Sequence, residues 1–94
     1  MAIQSYACAD TQALFRDGKR VAKFVNFENV AMRKLAMLNA AGALDDLRIP
    51  PGNRLEALKG TRAGQHSIRI NDQFRICFVW TRVGPSQVEI VDYH

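Results

Sequence analysis

The sequence has few cysteines, no long hydrophobic run and no secretory signal. Cys8 and Cys77 match no metal-binding or redox spacing, so we expect two free thiols and no disulfide framework. No apolar stretch approaches the roughly 20 residues that a transmembrane helix needs. The opening "MAIQSYACAD" lacks a basic region followed by an apolar one. Together these absences favour a cytoplasmic protein.

Composition indicates one small globular unit. A chain of 94 residues can bury one modest core, so we expect a single domain spanning residues 1–94. The hydrophobic fraction of 48% is typical of a folded chain and not of a disordered one. The net charge of +4 permits a polyanionic partner but does not require one.

The N-terminal half carries the helical signals. Asp10 is a plausible N-cap for a short helix that Gly18 would end. A second helix is predicted to begin around Asn26 and to end or kink at Gly42. Its apolar residues recur at helical spacing: Phe27, Val30, Ala31, Leu35 and Leu38.

The segments around these helices are weaker signals. Residues 2–7 could form a short first strand, and "ALDDLRI" could add a further helical turn. "PPGN" (residues 50–53) is expected to lack regular structure and to separate the helical half from the strands that follow. This order predicts an α+β fold, with helices on one face of an antiparallel sheet.

Alternation in "SIRINDQFRICFVW" predicts a hairpin with a defined register. Ile68 and Ile70 must share a face with the apolar residues of the next strand, which begins at Phe74. Pairing Ile70 with Phe74 achieves this and leaves a three-residue connection. The same register sets Arg69 directly across from Arg75.

The predicted arginine pair has two interpretations. Like charges in direct cross-strand pairing are unfavourable unless solvent separates the side chains or an anion lies between them. A solvated polar face explains the pair without a ligand. Phosphate also suits such a pair, because each guanidinium offers a planar fork of donors.

Other titratable residues cluster in the C-terminal half. Glu56, Lys59, Arg62 and His66 precede the hairpin, and the sequence ends on "VEIVDYH". A carboxylate, cations, imidazoles and a phenol, with no metal spacing, suit metal-free phosphoryl transfer on RNA. They suit phosphate binding without catalysis equally well. No cofactor and no metal ion are expected.

The stretch "LEALKGTRAGQHSIRINDQFRICFVW", followed by "VEIVDYH", closely resembles the HigB toxins of the RelE superfamily. The resemblance also covers "ACADTQALF", "AMRKLAML" and "PPGNRLEALKG". It implies a RelE-like microbial ribonuclease fold, with two helices on a small twisted antiparallel sheet. It also implies a toxin that cuts mRNA in the ribosomal A site, and a HigA-like helix-turn-helix antitoxin through which operator DNA would be bound indirectly.

The resemblance also implies roles for single residues. Lys59, Arg75, Asp92, Tyr93 and His94 correspond to catalytic positions of the family. Glu56 replaces a histidine of a well-studied member, although a YoeB-like sister branch uses glutamate as general base in a comparable place. We therefore include Glu56 among the catalytic residues. Four more residues are predicted to contact RNA: Arg54, Arg62, His66 and Arg69.

Two other functions remain open. ParE-like toxins share the fold and poison DNA gyrase, but those relatives generally lack the terminal acid, tyrosine and histidine. A catalytically weakened toxin that acts only with its antitoxin in a repressor complex is compatible with the change at Glu56.

Overall fold

A computed structural model describes residues 1–93 and shows a helical layer packed on a four-stranded antiparallel sheet. The strands follow the order β1-β2-β3-β4, so each strand pairs with its neighbour in sequence. This arrangement confirms the predicted α+β fold. The helices are α1 (Ala9–Phe15) and α2 (Glu28–Ala40), and the strands are β1 (Glu56–Ala57), β2 (His66–Arg69), β3 (Phe74–Thr81) and β4 (Gly84–Asp92). Within residues 1–93, no helix is long and apolar enough to cross a membrane.

Helix α1 begins earlier and ends earlier than predicted. Cys8 has an extended backbone and its carbonyl accepts the first helical hydrogen bond, from the N–H of Gln12 at 3.2 Å. Asp10 therefore lies in the first turn and not at the N-cap. There its negative charge interacts favourably with the positive end of the helix dipole, and its carboxylate forms an ion pair with Lys23 at 2.8 Å. The helix ends at Phe15, three residues before Gly18.

Helix α2 begins at Glu28, and the predicted start near Asn26 is wrong because a 3₁₀ helix occupies Ala22–Phe27. Ala31, Leu35 and Leu38 are fully buried, as their spacing predicted. The helix ends at Ala40, just before the predicted stop at Gly42.

Of three connecting segments, two differ from the predictions and one agrees with its prediction. Residues 2–7 form no strand; Tyr6 makes a single parallel bridge with Val88. "PPGN" is not irregular, because Pro51–Asn53 is a 3₁₀ turn whose first position needs no N–H donor. Leu44–Arg48 forms the further helical turn that was predicted.

The β2–β3 hairpin has the predicted register. Arg69 pairs with Arg75, and Ile68 pairs with Ile76. Asn71 closes the connection, since its side-chain oxygen accepts hydrogen bonds from the N–H groups of Gln73 and Phe74, both at 2.8 Å. This turn chemistry fixes which side chains share a face.

The hydrophobic core lies between α2 and one face of the sheet. Ile68, Ile76, Phe78 and Val88 are fully buried there against Leu35 and its helical neighbours. Because side chains alternate along a strand, the residues between them point to the other face. That second face is therefore free to carry polar groups.

One buried hydrogen bond ties α1 to β4. The hydroxyl oxygen of Thr11, which is fully buried, accepts from the backbone N–H of Ile90 at 3.0 Å. Thr11→Val keeps the side-chain shape but leaves this N–H without an acceptor. We expect the free energy of unfolding to fall by about 1–3 kcal/mol in urea titrations. Thr61→Val, at an exposed threonine, is the control. An unchanged urea midpoint for Thr11→Val would contradict this account of the α1–β4 contact.

Candidate functional site

The sheet face opposite the helices carries a compact set of ionic side chains. The register pairs Glu56 with Ser67, Arg69 with Arg75, and Cys77 with Glu89. Directly paired residues of an antiparallel sheet share a face, so these six line one surface, called here the polar face. Its centre is inaccessible to solvent, because Ser67 and Cys77 are both fully buried.

Arg75 occupies the middle of the polar face. Its side chain is only 11% exposed. Its Nε donates to the hydroxyl of Ser67 at 2.8 Å, and its Nη2 donates to the carbonyl oxygen of Arg54 at 2.7 Å. The carboxylate of Glu56 lies 3.5 Å from the same Nη2. Three acceptors therefore fix the orientation of this guanidinium.

Tyr93 lies beside Arg75. The Arg75 guanidinium carbon is 5.6 Å from the centre of the Tyr93 ring, within the range of a cation–π contact. The backbone N–H of Tyr93 donates to the carbonyl of Gln73 at 2.7 Å, which extends the pairing past the end of β4. Tyr93 remains 40% exposed and can meet a ligand.

Asp92 and His94 are placed differently. Asp92 pairs with Phe74, whose ring stacks on Phe27 in the helical layer, so its register position is on the other side from Arg75. Its carboxylate accepts from the side-chain amide of Gln73 at 2.9 Å. His94 lies outside the described residues, so its predicted catalytic role stays a prediction.

A second ion pair flanks the polar face. Arg62, at the end of the 3₁₀ turn Gly60–Arg62, donates to the carboxylate of Glu89 at 3.2 Å and to the side chain of Gln65 at 3.0 Å. Lys59 directly precedes this turn and is exposed, and its side chain makes no hydrogen bond or ion pair with the rest of residues 1–93. Its ammonium group is free to bind an anion.

Cys77 lies between the two ion pairs. Burial raises the pKa of the Cys77 thiol; Arg62 and Arg75 act against this shift, whereas Glu89 and Glu56 add to it. The thiol therefore stays protonated at neutral pH and is a poor nucleophile. The ion pairs Arg62–Glu89 and Glu56–Arg75 therefore both lie close to Cys77.

Lys34 of helix α2 lies close to Arg69. Arg69 forms an ion pair with Asp72, in the hairpin connection. Lys34 of α2 has a lowered pKa because it is partly buried and because Arg33 and Arg69 are close. The helical spacing of the sequence places Lys34 at the edge of the apolar face of α2. That spacing does not indicate that Lys34 approaches the hairpin.

His66 is not brought to this surface. It pairs with Phe78, and its ring lies 6.3 Å from the Phe78 ring on the core side of the sheet. Its Nδ1 is buried and has no hydrogen-bond partner within residues 1–93. The alternation that places Ile68 in the core already assigns His66 to the same side.

The chemistry of the polar face suits a phosphate ligand. It offers a fixed guanidinium with an adjacent carboxylate, and the exposed phenol of Tyr93 lies beside them. Among the described residues, no group of three or more histidine, cysteine or acidic side chains is arranged to hold a metal ion.

Comparison with known proteins gives consistent results. The family profile described as "RelE-like toxin of type II toxin-antitoxin system HigB" matches residues 5–94. A 55-residue segment is 54% identical to "Toxin HigB-1" of Vibrio cholerae and covers 58% of each chain. A 53-residue segment is 42% identical to an uncharacterized protein of Haemophilus influenzae, covering 56% of this chain and 52% of that one. The matched segments thus span little more than half the length of these curated relatives.

The family match includes the helices, the hairpin and every residue of the polar face. On this basis, the chain belongs to the HigB-like family of RelE-like toxins of type II toxin–antitoxin systems.

Proposed function

We propose that this toxin is a ribosome-dependent mRNA endonuclease that cuts messages in the ribosomal A site. The observation that carries the proposal is the fixed guanidinium of Arg75, adjacent to a carboxylate and an exposed tyrosine on one sheet face. This set matches the needs of RNA cleavage, in which charge builds on a phosphate while protons move. The proposed partners are the ribosome with its mRNA and a HigA-like antitoxin, in the cytoplasm.

The proposed reaction is attack by the ribose 2′-oxygen on the neighbouring phosphorus. A base removes the 2′-hydroxyl proton, the bond from phosphorus to the 5′-oxygen breaks, and an acid protonates that oxygen. The products are a 2′,3′-cyclic phosphate and a free 5′-hydroxyl. Arg75 would stabilise the developing charge, with Lys59 as a second cation; Glu56, on the same face as Arg75, would act as base, and His94 as acid.

The phosphate would compete with Glu56 for Arg75. In the free protein the two side chains are 3.5 Å apart, and Glu56 is about half exposed, at 49%. A phosphate that binds Arg75 would weaken this ion pair and release the carboxylate to accept a proton. Substrate binding and activation of the base would then be coupled.

The direct test is induced expression in bacteria with mapping of transcript 5′ ends. Cuts within translated codons, with 5′-hydroxyl ends, would support the proposal. Growth arrest with intact transcripts and inhibited gyrase would indicate a ParE-like toxin instead. Normal growth with repression by the toxin–antitoxin complex would indicate a binding module.

Arg75→Ala removes one preorganised charge-stabilising donor. We expect cleavage of ribosome-bound mRNA to fall by one to three orders of magnitude, or about 2–4 kcal/mol. Arg75→Lys should recover only part of the loss, since lysine cannot bind three acceptors in a plane. Arg48→Ala, at an exposed arginine that pairs with Asp45, is the control. Normal cleavage by a folded Arg75→Ala protein would remove Arg75 from the mechanism.

Glu56→Gln keeps the side-chain shape but removes the proton acceptor. If Glu56 is the general base, single-turnover cleavage should fall by about 10²–10⁴-fold. Glu28→Gln, at a carboxylate of α2 that pairs with Arg20, should have no effect. Unchanged cleavage by Glu56→Gln would transfer the base role to Asp92 or His94.

A chain that lacks only His94 tests the proposed acid. We expect it to melt at nearly the parent temperature and to bind the antitoxin, because β4 is anchored by Val88 and Ile90 in the core. It should lose most of its A-site cleavage, since an imidazole is well suited to donate a proton near neutral pH. Thermal unfolding and cleavage are measured on the same preparation. Lost folding would assign the tail a structural role, and full cleavage would exclude His94 from the chemistry.

A further inference from the structure

The acceptors around Arg75 come from three separate segments of the chain. Ser67 belongs to β2, Glu56 belongs to β1, and the carbonyl of Arg54 follows the 3₁₀ turn Pro51–Asn53. Two of these acceptors, the hydroxyl of Ser67 and the carbonyl of Arg54, occupy positions that are unfavourable for folding. Both contacts orient Arg75.

Ser67 is the first costly position. It is 0% exposed, in the second strand of the sheet, where an apolar side chain would stabilise the fold without needing a partner. Its hydroxyl oxygen instead accepts from Nε of Arg75 at 2.8 Å. The buried hydroxyl thus meets its need for a hydrogen bond through a single side chain, which belongs to the polar face.

Arg54 is the second costly position. Its backbone is left-handed, with φ of 47° and ψ of 54°, a conformation that non-glycine residues adopt uncommonly. Such backbone persists where the surroundings enforce it, and it concentrates at functional sites. Here it accompanies a carbonyl that accepts from Nη2 of Arg75 at 2.7 Å.

Asn53 holds this backbone in place from the helical side. It is fully buried, and its side-chain nitrogen donates to the carbonyl of Leu47 at 3.1 Å and to the sulfur of Met37 at 3.1 Å. Its side-chain oxygen accepts from the ammonium of Lys34. The turn that presents the Arg54 carbonyl is therefore tied to helix α2.

These contacts divide the nitrogens of the Arg75 guanidinium. Ser67 binds Nε, and Arg54 with Glu56 surrounds Nη2. Nη1 has no hydrogen bond to any described residue of the chain. Hydrogen bonds at two nitrogens prevent the planar guanidinium from rotating about the bonds of its side chain. The third nitrogen, Nη1, therefore has a fixed direction.

We propose that Ser67 is a positioning residue that orients Arg75, so that Nη1 is the nitrogen available to a phosphate of the bound RNA. Ser67 does not touch the substrate and takes no proton. Its effect on cleavage rests on the proposed endonuclease function, whereas its effect on the guanidinium does not. The two can be tested separately.

The first measurement is hydrogen exchange at the Nε–H of Arg75, followed by NMR in the intact protein. The resonance is assigned by its absence in Arg75→Lys. In the parent this proton is bonded and shielded, so it should exchange slowly with water. Ser67→Ala should accelerate the exchange at least tenfold, whereas Ser67→Thr, which keeps the hydroxyl, should restore slow exchange. Ser86→Ala is the matched control, because Ser86 bonds the hydroxyl of Ser5 at 2.8 Å at the opposite edge of the sheet.

The second measurement is cleavage of ribosome-bound mRNA by the same proteins. A misdirected guanidinium should lower kcat by about 10–100-fold, on the scale of an ångström-sized misplacement, with little change in KM. Ser67→Thr should recover kcat, and Ser86→Ala should match the parent. The urea midpoints of all variants show whether folding has changed.

Each result has a defined meaning. Unchanged exchange in Ser67→Ala, or unchanged kcat despite faster exchange, would overturn the inference. An equal loss of kcat in Ser67→Thr and Ser67→Ala, with exchange restored in Ser67→Thr, would also overturn it. If the parent itself does not cleave, the endonuclease proposal fails, and the exchange measurement still decides whether Ser67 orients Arg75.

Discussion

A guanidinium that is almost buried needs acceptors from the protein, and the arrangement of the polar face follows from this need. A guanidinium carries a charge, and the Arg75 side chain is only 11% exposed, so most of its donors have little access to water. The chain satisfies Nε and Nη2 with a buried hydroxyl, a backbone carbonyl in a left-handed turn and a carboxylate. The side chain of Arg75 therefore links strands β1 and β2 and the preceding 3₁₀ turn.

The sheet register was predictable, because alternation and turn chemistry determine it locally. The apolar faces of β2 and β3 match in only one way, and this match alone sets Arg69 across from Arg75. The helix boundaries were less predictable. Asp10 is a good N-cap by type, yet Cys8 takes that position, and a 3₁₀ helix precedes α2 where periodicity alone suggested a longer α-helix.

The residue types of the candidate site could be predicted from the sequence, but the directions in which their side chains point could not. Glu56 and Arg75 form an ion pair, and the ring of Tyr93 lies beside Arg75. His66 lies on the core side of the sheet. Strand alternation already predicts this, because His66 is two positions before the core residue Ile68. Ser67 and the carbonyl of Arg54 could not have been found, because an ordinary serine and a backbone oxygen leave no signal in composition or spacing. Their importance depends on contacts between segments that are distant in sequence.

The segment before α1 has a consequence for how this protein can associate with other chains. Val88 of β4 exchanges hydrogen bonds with the backbone of Ser5 and Ala7, and the N–H of Ile90 is taken by Thr11. The other outer strand, β1, is only two residues long. Within residues 1–93, neither side of the sheet thus presents a long row of unpaired backbone groups, which another strand would need as a template. Growth of the sheet by addition of strands from further molecules is therefore disfavoured.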